Sequence, residues 1–382
     1  MGFFQEPTPP SDQASVKRLL SLDVMRGATV ASMILVNNPG SWTDGYGLLT
    51  HADWNGCTVA DLVFPFFLLM VGTSISLSLD RYRESASERA AALPRIVRRT
   101  IFLFALGLLL NGLVPSTQLS TLRYFGVLQR IALCSFVASL VFLRTGVGGQ
   151  VGWTVGLLAA YSLVVKLVPV PGHGRAVLEP HANLAGYLDT LFFRGHLYHE
   201  DFDPEGLLST IPAVATTLLG VLAGRWLASG ATPSQKTAGL LVAGLGMTIA
   251  GEICDRWIPI NKQLWTSSFV LLTGGLGSVV LGTCYGVVDA KGCRRVATPL
   301  VILGTNALAV YVLSSLAAQM LETFGVTTAD GDPTPLRLYL YAHLFAPWAG
   351  VLPGSLLYAA AYVLLWIPPM AILYRRRIFL RV

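Results

Sequence analysis

A chain of 382 residues that is 53% apolar and only 13% charged carries about half the charge of a typical soluble domain, too little to solvate a 41 kDa globule. Mean hydropathy is +0.59, and apolar runs of the ~20 residues that a helix needs to cross a ~30 Å hydrocarbon core recur throughout. The net charge of +6 reads as basic cytoplasmic loops rather than a nucleic-acid footprint, and the roughly ten-residue alternation of a β-barrel is missing.

The expectation is an all-α, polytopic helical bundle. Residues 1–16 form a polar N-terminal tail with no signal-peptide core, and 17–382 a single membrane domain. The first span, 19–38, opens with Asp23 and Arg26, neighbours on one helix face at a depth where charges are costly and tend to be functional. A neutralising structural pair is an equally good reading. The span ends in Asn37-Asn38-Pro39-Gly40, where Pro and Gly stop the helix.

Before the second span, 59–79, comes the densest polar motif, His51-Ala-Asp-Trp54-Asn55-Gly-Cys-Thr-Val-Ala-Asp61. It gathers an imidazole, an indole, an amide and carboxylates at one helix start, and histidine is the side chain best suited to proton transfer near neutral pH. By the residues alone, His51 is equally an interfacial loop residue. A third stretch at 100–114 is followed by 125–143, which carries Gln129 and Arg130; a buried arginine suits an anion or snorkels to an interface.

After 151–168 a long segment, about 169–207, holds Asp203-Pro204-Glu205-Gly206, which fits a helix start as well as substrate binding. Its His196-x-x-His199 pair lacks the second half of a tetrahedral metal site, so no metal is expected. Spans at 208–228, 238–256 and 265–287 follow, with Asn261 and Lys262 in the loop before the last of these, and 299–321 and 352–374 complete ten. An eleventh, partly inserted segment is left open at 338–350. The five cysteines are odd in number and scattered, which argues against a disulfide framework.

Most of the 27 Lys and Arg fall on one side of this topology if both termini are cytoplasmic, including Arg95, Arg98, Arg99 and Arg375 to Arg377. All six histidines then lie on the outer side, together with the 169–207 segment.

Several motifs now carry a resemblance. Asp23-Val-Met-Arg26-Gly27, Val36-Asn37, the block from His51 to Pro65, Gly126-Val-Leu-Gln129-Arg130, Asp203-Pro-Glu205-Gly206, Pro259-Ile-Asn261-Lys262 and Gly304-Thr-Asn306 stand in this order. Together they resemble the heparan-α-glucosaminide N-acetyltransferase family over most of the chain. That resemblance implies an acetyltransferase moving acetyl groups from cytosolic acetyl-CoA, a co-substrate rather than a resident cofactor, to an amino sugar across the bilayer. It places the catalytic histidine on His51 and the active-site asparagine on Asn37. The long N-terminal luminal domain of the animal enzyme has no counterpart here, and a bacterial inner membrane with an extracytoplasmic active site is the expected setting.

Under this reading Arg26, Arg130 and Gln129 hold the phosphates of CoA near the inner face. Trp54, Asn55, Asp61, Asp203, Glu205, Asn261 and Lys262 contact the acceptor. A homo-oligomer is left open. Two other classes fit the residues as well: a permease lined by intramembrane charges, and an O-acyltransferase of surface polysaccharides.

Overall fold

The computed structural model describes residues 19–43, 45–113, 118–294, 297–327 and 333–379. The tail at 1–16 lies outside them. Helices make up almost all of the regular structure. The first, α1 (Leu20–Asn37), stops ahead of Pro39-Gly40, and α2 (Val59–Leu79) begins at Thr58, whose amide donates to Asp61 at 3.0 Å.

The third helix, α3 (Ala86–Gly112), starts well before the apolar stretch expected at 100–114. Ser85 and Glu88 explain this: the Glu88 amide donates to the Ser85 hydroxyl and the Ser85 amide to Glu88, both at 3.1 Å, satisfying two orphan donors reciprocally. Next come α4 (Val127–Arg144) and α5 (Val147–Leu167). The 169–207 segment contains a short helix, α6 (Leu184–Phe193), capped by Asn183, whose side chain accepts the Gly186 amide at 2.8 Å. After it, α7 (Leu207–Ala228), α8 (Pro233–Cys254) and α9 (Ser267–Cys284) run in succession, α9 continuing as a π-turn to Ala290.

The span expected at 299–321 is broken. Its two parts, α10 (Thr298–Thr305) and α11 (Ala307–Thr323), meet at 80° around Asn306, whose buried amide donates to the Ile378 carbonyl at 3.1 Å. Two short strands pair antiparallel, β1 (Gly325–Thr327) with β2 (Pro333–Pro335). The 338–350 region holds two short helices, α12 (Leu336–Leu344) and α13 (Ala346–Ala349), rather than an eleventh span. Finally α14 (Val351–Leu365) and α15 (Ile367–Arg375) together make one apolar stretch. Among the described residues eight helices are long and apolar enough to cross a membrane, or nine with the bent pair taken as one span. The reading of about ten counted α3, whose arginines lower its mean hydropathy.

Lipid is as apolar as leucine, so helices associate where backbones approach closely. A Cβ on Gly72 would lie 1.8 Å from the Thr217 carbonyl, and one on Gly220 1.9 Å from that of Leu69. These glycines lock α2 against α7. Gly27 and Gly304 do the same between α1 and α10, where added Cβ atoms would fall 1.8 and 1.9 Å from facing carbonyls.

The connecting segments sort to two ends. At one end, the segment before α2 meets the loop before α9 through Gly56 N–H to Ile260 O at 2.7 Å, and the 169–207 segment through Trp54 Nε1–H to Leu178 O at 2.9 Å. At the other, Arg83 donates to the carbonyls of Phe142 and Thr145 at 3.1 and 2.8 Å, and Asp289 accepts the first amides of α1. The first is called the His51 end below.

Candidate active site

The His51 end gathers its polar residues on the first turn of α2. The Asp61 side chain, 1% exposed, takes His51 Nδ1 at 2.7 Å on one oxygen. On the other it takes the amides of Ala52 and Thr58 at 3.1 and 3.0 Å and the Thr58 hydroxyl at 3.1 Å. One carboxylate thereby caps a helix and orients an imidazole. With Nδ1–H donating to Asp61, the lone pair is left on Nε2. The ring itself stays accessible, its side chain being 44% exposed.

A third group completes the cluster. Lys262 Nζ lies 3.2 Å from the His51-facing oxygen of Asp61, 3.0 Å from Nδ1 and 3.4 Å from Nε2 of His51. Near-equal distances to both ring nitrogens put the ammonium over the ring face, because an in-plane approach between them would meet Cε1. The Lys262 loop is held by its neighbour. Asn261 is fully buried, donates to Asn55 Oδ1 at 3.1 Å and accepts the Leu264 amide at 2.8 Å. Asn55 and Asn261 therefore position Lys262. Trp54 anchors the 169–207 segment, its indole bonded to Leu178 O and packed edge-on against Phe202 at 5.7 Å.

Beside this cluster stands a second, built on Arg123. Its guanidinium donates to both oxygens of Asp203 at 2.7 and 2.6 Å and to Glu205 at 2.5 Å. Burial opposes the Arg123 charge, but these two carboxylates more than offset it and raise its pKa. Asp203 also accepts the amides of Tyr198 and Glu205, both at 2.9 Å, so its oxygens are committed to holding the turn. Asp189 on α6 accepts the amides of Leu207 and Asp203 at 3.0 and 3.3 Å, and burial pushes its carboxyl up to about 6. Arg123 stands just ahead of the fourth apolar stretch, and nothing in the chain marks Asp203, 80 residues on, as its partner.

The residues assigned to the donor phosphates are not brought together. Arg26 bonds to Asp23 at 3.0 Å, Ser74 Oγ at 3.3 Å and Gly304 O at 3.4 Å, and Ser74 stands thirteen residues beyond Asp61 on α2, about 20 Å along the helix. Arg130 belongs to the His51 end: fully buried, it donates to Pro204 O at 2.9 Å and to Ser209 Oγ, and stacks over Trp265 with 5.0 Å to the ring centroid. Gln129 is buried against Gly107 and Gly126. Asn37, the last residue of α1, lines a cavity of about 190 Å³ with Asn38, Ser314 and Ser315. Among the described residues no hydrogen bond joins it to His51.

Other polar groups have local roles. His196 stacks on Tyr124 at 4.1 Å and His199 on Phe202 at 4.6 Å. Burial pushes the Cys57 thiol up to about 12, so this cysteine beside the site stays protonated and is a poor nucleophile at neutral pH.

A membrane-embedded helical bundle with a carboxylate-oriented histidine open at one end defines a class: integral proteins equipped for proton transfer at a bilayer surface. The family profile described as "Heparan-alpha-glucosaminide N-acetyltransferase, catalytic" matches residues 18–252. The chain belongs to this family. It is 30% identical over 359 residues to heparan-alpha-glucosaminide N-acetyltransferase of Mus musculus, covering 80% of this chain and 54% of the mouse protein. Against the Homo sapiens protein of the same name the identity is 29% over 350 residues, covering 77% of this chain and 52% of the human one. The chain thus spans about half the length of these relatives.

Proposed function

We propose that this protein is a membrane acetyltransferase that moves the acetyl group of acetyl-CoA to the amine of a glucosamine-type sugar, with no permanently bound cofactor. The arrangement that carries the reading is His51 held through Nδ1 by Asp61, beneath the Lys262 ammonium. His51 Nε2 takes a proton from the acceptor nitrogen as that nitrogen attacks the thioester carbonyl. The C–N bond forms, the C–S bond breaks, and the thiol leaves with a proton. An acetyl-histidine route reaches the same products in two steps, Nε2 attacking first. Asn37, carried over from the family motif, donates to the developing oxyanion.

The orientation in this reading has both termini cytoplasmic and His51 outside. The crowding of arginines at the end away from His51 supports it: Arg81, Arg83, Arg89, Arg95, Arg98, Arg99, Arg144 and Arg225 all stand there. An extracytoplasmic active site in a bacterial inner membrane follows from the same reading.

The test is acetyl transfer by purified protein in sealed vesicles, with acetyl-CoA on one side and glucosamine on the other. Removing a general base costs about 10²–10⁴-fold, so His51→Ala should lose nearly all transfer while remaining monodisperse. His199→Ala, stacked on Phe202, should stay active. A folded His51→Ala protein with wild-type turnover refutes the assignment.

A further inference from the structure

Between the second half of α2, the middle of α3 and α4 lies a cavity of about 460 Å³, within the range of about 300–1,000 Å³ usual for small-molecule sites. Arg95, Arg98 and Arg99 line it, with Ser78, Ser135 and Ser139. The spacing i, i+3, i+4 puts the three guanidinium groups on one face of α3, where like charges repel. Among the described residues no carboxylate lines the cavity. Of the acidic residues nearest in the chain, Asp80 lies 3.7 Å from Arg83, Glu88 caps α3 at Ser85, and Glu84 is exposed.

The arginines themselves are incompletely paired. Arg99 Nε is buried with no hydrogen-bond partner among the described residues. Arg95 reaches the Tyr82 hydroxyl. Arg99 is half-buried and Arg95 and Arg98 are exposed, so the cavity opens toward solvent, and several guanidinium groups converging on one space, one with an unused donor, suit phosphate oxygens.

We infer that this cavity is a binding site for a phosphate ester. Resting on the transferase reading above, the ester is the phosphorylated end of acetyl-CoA. Ile75, on the cavity wall, is fourteen residues beyond Asp61 on α2, about 21 Å along the helix. A donor anchored here reaches His51 only through a long flexible arm, so a short acyl phosphate cannot serve. Ser78 and Ser135 donate to helix carbonyls at 2.7 and 3.0 Å, so the arginines are the principal anion donors of the cavity. An anionic lipid headgroup has the same phosphate chemistry, and the experiment separates the two sources.

The experiment measures CoA binding calorimetrically to the purified full chain, without acceptor, in neutral phosphatidylcholine nanodiscs and again with phosphatidylglycerol added. Arg98→Gln and Arg99→Gln should weaken CoA binding at least tenfold, Arg99→Lys less, and Arg144→Gln, an exposed charge outside the cavity, not measurably. Desphospho-CoA should bind more weakly than CoA to the wild type and lose its disadvantage in the glutamine variants. Phosphatidylglycerol should leave wild-type CoA affinity within a factor of two. Strong competition by phosphatidylglycerol, lost in Arg99→Gln, would assign the cavity to lipid and overturn the donor assignment. CoA affinity unchanged in both glutamine variants, with Arg99→Lys and size-exclusion profiles confirming folded protein, would overturn the site itself. Arginine-dependent CoA binding in a protein that transfers no acetyl group would refute the transferase reading alone.

Discussion

Asp61 divides its two oxygens between two tasks, and Asp61→Asn separates them. One oxygen takes the amides of Ala52 and Thr58 and the Thr58 hydroxyl, the other His51 Nδ1 and Lys262 Nζ. An asparagine that keeps its carbonyl on the helix-capping side preserves all three of those bonds and turns its NH₂ toward the histidine. That amide can only donate, so Nδ1 must become the acceptor and the proton moves to Nε2. The base then carries a proton where it needs a lone pair. The equivalent substitution in a serine protease triad leaves geometry intact and lowers turnover by about 10⁴. Asp61 is buried and Lys262 only 19% exposed, and the lost charge also weakens the bonds to His51, Ala52 and Thr58, so a stability loss of about 1–3 kcal/mol is expected.

Asp61→Asn should therefore cut acetyl transfer by about 10³–10⁴ while lowering thermal stability less than loss of the whole side chain does, read by steady-state transfer and by the unfolding temperature in detergent. Asp61→Ala is the contrast. It leaves Ala52 and Thr58 donors unmet at about 1–3 kcal/mol for each buried group, so stability and rate fall together. An Asp61→Asn protein that transfers at near wild-type rate would mean that His51 needs no fixed tautomer, and the proton-transfer role would go with it.

Two further outcomes follow from packing and charge. Gly72→Val should force α2 and α7 apart, because even a Cβ there lies 1.8 Å from the Thr217 carbonyl; a loss of about 1–3 kcal/mol or more, seen as a lower unfolding temperature, is expected, and Gly246→Val, where nothing lies within 4 Å, should be neutral. The Asp189 carboxyl is raised by burial from 3.8 to about 6, so the folded chain binds this proton more tightly than the unfolded one. Its contribution therefore favours folding at acid pH and is lost as pH rises from about 4 through about 6; the unfolding temperature should decline across that window, and Asp189→Asn should flatten the decline.

The chain reveals local partners and hides distant ones. His51 and Asp61 stand ten residues apart in one polar block before an apolar run, so their meeting at a helix start was legible as a candidate. Asn55 and Asn261 were marked as polar residues at loop ends, but their bond, across 206 residues, is set by the way α8 and α9 return to α2. The start of α3 was misplaced because the apolar run begins at Ile101, whereas the helix is nucleated by a capping box at Ser85 and carried through its arginines. The break at Asn306 was invisible to hydropathy, since both arms are apolar and only a buried amide with a tertiary partner marks the bend.

Arg26 and Arg130 show what charge type leaves undetermined. Both are buried or half-buried arginines inside spans, which made them equivalent candidates for an anion. Depth distinguishes them: Arg26 bonds to Ser74, about 20 Å along α2 from Asp61, whereas Arg130, three residues into α4, bonds to Pro204 at the His51 end. Their ends therefore differ whichever way the protein is inserted, and one compact phosphate group cannot bridge them. Arg130 donates through Nη2 to Pro204 and Ser209, bracing against Trp265 the turn that carries the two carboxylates of Arg123, while its Nε and Nη1 are buried without a partner among the described residues. The arginines that share one cavity are those on one face of α3, at the depth of Arg26. A donor with phosphates at one end and a reactive acyl group at the other is matched by a protein whose arginine-lined cavity and oriented histidine are held apart along a single helix, α2, pinned to α7 by glycines.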